Sequence, residues 1–153
     1  MRFAGTGRFV FIAQWVLGAL LPVFFFLGRG WVGAEVGWLG VLGIVYGIFT
    51  ILLLLVPPLL TLFDPEGRKK RSTRAGYDIA TIALWLALLV GALTVPDSGD
   101  SGHLDSALST WTGMSYETSA AIFYGTAVVL GLAYLAAFVL AIVGIVRGRQ
   151  AAS

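Results

Sequence analysis

Cysteine and asparagine are both missing from this 153-residue chain, and charged residues are scarce. Without cysteine the chain cannot form a disulfide, supply a thiolate nucleophile or bind a metal through sulfur. Charged residues make up 12% of the sequence, whereas about 25% is typical of soluble domains. His103 is the single histidine, so no bis-histidine haem site can form within this chain alone.

Long apolar runs make up most of the chain, since 58% of the residues are hydrophobic. A helix needs about 20 mostly apolar residues to cross about 30 Å of hydrocarbon. Residues 9–27, 38–63, 79–95 and 120–146 contain no charged residue and no histidine. With their flanks they predict spans over about 9–28, 38–63, 77–95 and 119–146. We therefore expect an all-α membrane protein, a single domain over 1–153 formed by a bundle of four transmembrane helices.

Basic residues are distributed unequally between the two sides of these spans. Nine of the ten lie on one side: Arg2, Arg8, Arg68, Lys69, Lys70, Arg71, Arg74, Arg147 and Arg149. Arg29 is on the other side, where the connection 96–118 has acidic residues but no Lys or Arg. Because cytoplasmic loops are enriched in Lys and Arg, we expect both ends and loop 64–76 in the cytoplasm and loop 96–118 outside. The excess of Arg over Lys suggests a high-GC bacterial genome, so we expect a bacterial inner membrane.

The outer loop is expected to be flexible at first and helical later. Residues 96–102 are rich in Pro, Asp, Ser and Gly, which is typical of irregular chain. Leu104, Leu108 and Trp111 then follow at i, i+4 and i+7, which is one stripe of a short helix. We expect that helix to lie on the outer membrane face or to cap the bundle.

Two adjacent prolines, Pro57 and Pro58, lie near the inner end of the second span. They remove two backbone donors, so we expect a kink whose freed carbonyls are satisfied by neighbouring helices. A broken helix that lines an ion site is the alternative. The absence of an ionisable residue beside the prolines favours the kink.

Small residues form stripes on three of the helices, and such stripes allow membrane helices to approach closely. The candidate packing or partner-binding residues are Gly33, Gly37, Gly40, Gly43, Gly47, Ala80, Ala83, Ala87, Gly91, Ala133, Ala137, Ala141 and Gly144. Packing within the bundle is one interpretation. The other is that one stripe, on the second helix by preference, binds a partner. Trp85 points away from the stripe of the third helix and is expected to face lipid.

The basic tract of the inner loop predicts contact with anionic lipid headgroups. Its residues are Arg68, Lys69, Lys70, Arg71 and Arg74. Determination of topology alone would also explain these charges.

Gln14 is the one amide in the apolar runs, and no Asp, Glu or His lies deep within them. We expect Gln14 to face protein and form an interhelical hydrogen bond, with contact to a ligand as the alternative. The missing carboxylate argues against proton-coupled transport. His103 with Asp100 and Asp105 could form a weak metal site, but a solvated loop histidine is favoured, so we expect neither metal nor cofactor.

The sequence favours a non-enzymatic accessory or interaction subunit that works through Gly- and Ala-rich helix faces. The alternative is a homo-oligomeric channel or passive transporter, and an enzyme ranks third because no nucleophile, base and oxyanion site converge. The expected partners are membrane lipids and either a homo-oligomer or a larger membrane complex. Nucleic acid is not expected, because the net charge is +2.

Overall fold

A computed structural model describes residues 5–150, which are mostly helical. Its long helices are α1 (Gly7–Leu27), α2 (Trp38–Thr61), α4 (Ala75–Thr94) and α6 (Tyr116–Gln150). A short 3₁₀ helix, Gly28–Val32, extends α1. All four long helices are long and apolar enough to cross a membrane. The predicted four-helix transmembrane bundle is confirmed, and the chain is a multi-pass membrane protein.

Shorter elements occupy the connections between the long helices. The helix α3 (Pro65–Lys70) lies between α2 and α4. Between α4 and α6 are a hairpin of β1 (Asp97–Gly99) and β2 (Gly102–Leu104), followed by the helix α5 (Ala107–Thr112).

The four long helices form a closed ring in the order α1, α2, α6, α4, with α4 also in contact with α1. α4 is the most enclosed, since 50% of its most apolar window is buried, compared with 22% in each of the other three. The start of α1, the α3 segment and the end of α6 lie together, because Gly7 packs against Thr73 and Gly148 packs against Asp64. Arg2 lies outside the described residues.

Apolar side chains pack in two layers within this ring. The layer nearer α3 contains Val10, Tyr77, Ala80, Ala137 and Ala141. The second contains Leu54, Leu84, Leu88 and Ala133. The alanines of α4 and α6 therefore pack against larger side chains that come from α1, α2 and α4 itself, as close helix packing requires.

The outer loop differs from the expected flexible stretch. Residues 97–104 form an antiparallel hairpin in which Asp97 pairs with Leu104 and Ser98 with His103. Its anchor is the Asp97 carboxylate, which accepts hydrogen bonds from the backbone N–H groups of Gly37, Leu39 and Ser98. An alternation of polar residues this short carries no strand signal in the sequence.

The short helix of the outer loop is present as α5, although Leu104 belongs to β2 and not to the helix. Ser106 caps α5 by accepting from the Ser109 N–H at 3.0 Å. The Ser106 hydroxyl also meets that of Ser119 at 2.7 Å, and Ser119 donates to the Thr94 carbonyl. These serines fasten α5 to the ends of α4 and α6.

α2 runs through Pro57 and Pro58 without interruption and ends at Thr61. Pro57 has no N–H, so the carbonyl of Leu53, one turn earlier, lacks its helical donor. The Tyr134 hydroxyl of α6 donates to that carbonyl at 3.1 Å. A neighbouring helix thus satisfies the backbone group that the proline leaves free.

Candidate functional site

An open groove runs between α4 and α6 in the half of the bundle away from α3. Its volume is about 470 Å³. It is lined by Ala83, Leu86, Ala87, Val90, Ile122, Gly125, Thr126 and Val129. Seven of the eight lining residues are apolar and none is charged. The groove therefore suits an apolar occupant.

Gly125 makes the floor of the groove unusually open. A Cβ atom built on Gly125 would meet no heavy atom within 4 Å. Gly131, on the same helix, is equally open but does not line the groove. Substitutions at these two glycines therefore distinguish the effect of filling the groove from the effect of adding a bulky side chain elsewhere on α6.

The glycines of α2 are covered by the chain itself. Gly40 packs against Val36, and Gly43 and Gly47 pack against Phe26 of α1. A Cβ atom at Gly43 would overlap the Phe26 side chain. The α2 stripe is therefore filled from within the bundle, which leaves no glycine face there for a partner.

Gly33 and Gly37 do not belong to α2, which begins at Trp38. Gly33 ends the 3₁₀ helix with a left-handed φ of 84°, a conformation that favours glycine. Gly37 lies against Ser98 and Asp97 of the hairpin. Both residues shape the outer connection and present no helix face.

The small residues of α4 and α6 lie largely at the contact between these two helices. Buried positions in this set are Ala80, Ala87, Gly91, Ala133, Ala137, Ala141 and Gly144. Ala83 is half-buried at the groove. Trp85 is also half-buried, with its ring edge-on to Phe9 at 6.3 Å, and it packs against the inner core layer. The expectation that Trp85 faces lipid is therefore wrong in part.

Gln14 is buried at the centre of a small polar cluster, with 1% of its surface exposed. Its amide donates to the Phe11 carbonyl at 3.2 Å and the Thr61 hydroxyl at 3.4 Å. The Tyr77 hydroxyl donates to its oxygen at 2.8 Å. The adjoining cavity is about 10 Å³, enough for roughly one water molecule. Protein groups thus satisfy Gln14 and leave little space for a ligand.

A buried ion pair holds α3 against the bundle. Arg74 donates to both carboxylate oxygens of Asp64, at 2.9 and 3.3 Å, and to Glu66 at 3.1 Å. Asp64 also caps α3 by accepting from the Glu66 and Gly67 N–H groups. The hydrogen bond to Asp64 raises the pKa of Arg74. The hydrogen bond from Lys70 lowers the pKa of Glu66.

The burial of Arg74 corrects the prediction that it contacts lipid headgroups. It is 7% exposed and its guanidinium faces two carboxylates. The other residues of the predicted tract are exposed: Arg68, Lys69, Lys70 and Arg71. A sequence of adjacent cations does not show which one turns inward, because that depends on Asp64, ten residues away.

A second clamp joins the start of α1 to α4. The Asp78 carboxylate, 2% exposed, accepts from the Thr6 hydroxyl at 2.9 Å and from the Thr73 hydroxyl. Thr73 also donates its backbone N–H to the Gly7 carbonyl at 3.2 Å. Gly7 has to be small here, since a Cβ atom would overlap the Ser72–Thr73 segment.

At the end of the bundle away from α3, Arg29 is a buried cation that sequence reasoning missed. It is 1% exposed and donates to the carbonyls of Glu35, Val95 and Asp105 at 3.2, 3.0 and 2.7 Å. Its guanidinium lies 3.6 Å from the Asp97 carboxylate. One side chain thus connects the α1–α2 turn, the end of α4 and the start of α5. The signal in the sequence was that Arg29 is the single basic residue on a side of the spans whose loops are otherwise acidic.

Among the described residues, no group of three or more His, Asp or Glu side chains could hold a metal ion. The His103 ring stacks against Tyr116 at 4.7 Å. No protein-family model matches the chain, and no curated protein or solved structure matches it at a significant level.

Proposed function

We propose that this protein is a non-enzymatic interaction subunit of a membrane complex, and that it binds a transmembrane helix of a partner protein in the α4–α6 groove. The observation that carries the proposal is the groove lined by the small residues Ala83, Ala87 and Gly125, of which Gly125 faces open space. A bacterial inner membrane, with both termini in the cytoplasm, fits the basic residues near α1, α3 and α6.

The proposal rests on which small-residue faces the chain already covers. The α2 glycines are filled by Val36 and Phe26, and the α6 face from Ala133 to Gly144 is buried. Gly125 faces open space instead. Because lipid tails are as apolar as leucine, membrane helices associate where small residues allow close backbone approach. The groove offers that approach to another helix.

The lining defines the chemistry of the occupant. With Thr126 as its one polar residue, the groove favours a helix that inserts a ridge of Leu, Ile, Val or Phe side chains. A charged side chain on the inserted face would lose its hydration without a counterion. The partner helix is therefore apolar on the face that it presents.

Conduction through the centre of one bundle has less support. The cavity beside Gln14 is about 10 Å³ and the cavity beside Asp64 and Arg74 is about 20 Å³. Both are close to the volume of a single water probe. An ion path would instead require an axis formed between several copies of the chain. Self-association is therefore the result that distinguishes a channel from an accessory subunit.

The test is photo-crosslinking in native membranes. A crosslinking residue at Val90, in the groove, is compared with one at Ile79, which lies outside it on the same helix and is 70% exposed. We expect Val90 to give one protein adduct of fixed mass and Ile79 to give none. The adduct should disappear in Gly125→Leu and persist in Gly131→Leu.

Equal labelling at Val90 and Ile79, or an adduct that Gly125→Leu does not affect, would contradict a specific groove. An adduct with the mass of two copies of this chain would replace the accessory role with a homo-oligomer. That outcome would favour the channel, which ion flux through reconstituted vesicles then tests directly.

A further inference from the structure

The helix α3, which carries exposed basic residues, is tied to the bundle by hydrogen bonds and ion pairs. Asp64 caps the helix at its start, and Arg74 pairs with Asp64 and Glu66 across it. The run of exposed cations ends at Arg71, whose left-handed φ of 48° turns the chain back toward α4. The cations of α3 are therefore presented by a fixed helix and not by a loose loop.

The end of α6 brings two more cations to the same place. Gly148 packs so closely on α3 that a Cβ atom there would overlap the Asp64 carboxylate and lie 2.9 Å from the Pro65 ring. Arg147 and Arg149 flank this glycine and are both exposed. The contact thus brings two guanidinium-bearing residues of α6 beside the start of the basic helix.

Acidic groups at this end are already engaged. Asp64 and Glu66 pair with Arg74, Glu66 also pairs with Lys70, and Asp78 accepts from two threonines. The exposed charge left among the described residues here is positive, and Arg guanidinium groups bind phosphate oxygens in a bidentate manner.

The position of this surface relative to the hydrocarbon indicates whether a phosphate bound there would belong to a lipid headgroup or come from solution. Phe63, two residues before α3, is 63% exposed, and Val146, directly before Arg147, is 51% exposed. Large exposed apolar side chains thus adjoin the cations on both elements, as expected where a membrane span meets the headgroups.

We propose that α3 and the end of α6 together form a preformed site for the phosphate-bearing headgroup of an anionic phospholipid. Arg68, Lys69 and Arg71 form one side of the site, and Arg147 and Arg149 form the other. Gly148 sets the spacing between the two sides, because it allows α6 to rest on Asp64. This site is independent of the α4–α6 groove.

The experiment measures lipid binding to the full chain in neutral detergent by native mass spectrometry, with phosphatidylglycerol compared with phosphatidylcholine. The wild type should prefer phosphatidylglycerol. Combined Arg68→Gln, Lys69→Gln and Arg71→Gln should weaken its binding about 100-fold, at the usual contribution of a basic side chain near an anionic surface. Arg147→Gln with Arg149→Gln should weaken it about tenfold or more.

A charge-neutral variant distinguishes a built site from diffuse attraction. Gly148→Ala keeps every charge but pushes α6 away from Asp64, so binding should weaken several-fold. Gly131→Ala, on the same helix in open space, should bind as the wild type does. Arg8→Gln removes an exposed cation at the same end of the bundle that belongs to neither α3 nor α6, so it should weaken binding less than each α3 substitution.

The proposal is overturned if both lipids bind equally, or if Arg8→Gln weakens binding as much as each α3 substitution while Gly148→Ala does not. Inorganic phosphate is added in a parallel titration. If it displaces the lipid at equal concentration, the site recognises phosphate alone and the lipid assignment fails. If Gly148→Ala does not fold, the Arg147 and Arg149 double variant against Arg8→Gln decides the question.

Discussion

The hydroxyl of Tyr134 donates to the carbonyl of Leu53 at 3.1 Å, across the contact between α6 and α2. Leu53 lies four residues before Pro57, which cannot supply the helical hydrogen bond. An unsatisfied carbonyl is unfavourable in hydrocarbon, so the donor from Tyr134 makes the proline tolerable.

This relationship predicts the cost of Tyr134→Phe. Loss of the hydroxyl should lower the free energy of unfolding by about 0.6–2 kcal/mol, as measured by denaturation in mixed detergent micelles. In a Pro57→Ala background the cost should shrink, because the helix then supplies its own donor. Tyr124→Phe is the control, since Tyr124 is 64% exposed. Equal costs in both backgrounds would contradict the assignment.

We expect substitutions of Arg29 to lower the stability of the protein, because its guanidinium donates to three carbonyls and pairs with one carboxylate. Arg29→Ala leaves the buried Asp97 without its cation, and breaking such a pair costs about 3–5 kcal/mol. Arg29→Lys should rescue little, since one ammonium group cannot reproduce a planar fork of donors. Thermal denaturation in detergent measures both, with Arg149→Lys as the exposed control. A fully stable Arg29→Lys protein would show that charge alone suffices.

Packing at the α4–α6 contact can be tested with two adjacent alanines. Ala137 is 1% exposed in the inner core layer, whereas its neighbour Ala136 is exposed. Ala137→Leu should cost about 1–3 kcal/mol through overpacking, and Ala136→Leu should be close to neutral. Detergent denaturation curves compare the two. Equal stability of both variants would place Ala137 against lipid.

Acid should loosen α3 through Glu66. The hydrogen bond from Lys70 lowers the pKa of Glu66 below its ordinary value of 4.5. Its contribution to stability is therefore present above that value and is lost as the pH falls through the lower, folded pKa. Stability measured from pH 6 down to about pH 3 should show a small acid-dependent loss that Glu66→Gln removes. If Glu66→Gln shows the same loss of stability at low pH, another carboxylate is responsible for that loss.

The orientation of the chain stays a prediction, and the absence of native cysteine makes it simple to test. Lys69→Cys and Ser101→Cys place one exposed thiol at each end of the bundle. In intact cells an impermeant thiol reagent should label the residue at 101 and spare the one at 69. Labelling at 69 alone would invert every statement about sidedness.

The sequence predicts the helices and their small-residue faces well, because both are local patterns. The α6 face from Ala133 to Gly144 follows from a period of 3.6 residues and needs no knowledge of the partner helix. The ends of the bundle are different. Arg29 reaches groups 66 and 76 residues away, and no local period reports such pairings.

The role of the α2 glycines was also beyond sequence reasoning. Gly43 and Gly47 have the spacing of a helix-association motif, and that spacing fits an internal contact or an external one equally well. Phe26 decides between them by filling the space over both glycines. Whether such a stripe is covered depends on the side chain of a different helix.

The Arg29 clamp has a consequence for the order in which this protein is made. Arg29 emerges from the ribosome well before its acceptors Val95 and Asp105, which follow 66 and 76 residues later. Until they arrive, the first helix pair must keep a hydrated cation at its outer turn. The nascent chain thus completes this end of the bundle only after the hairpin that follows α4 has been made.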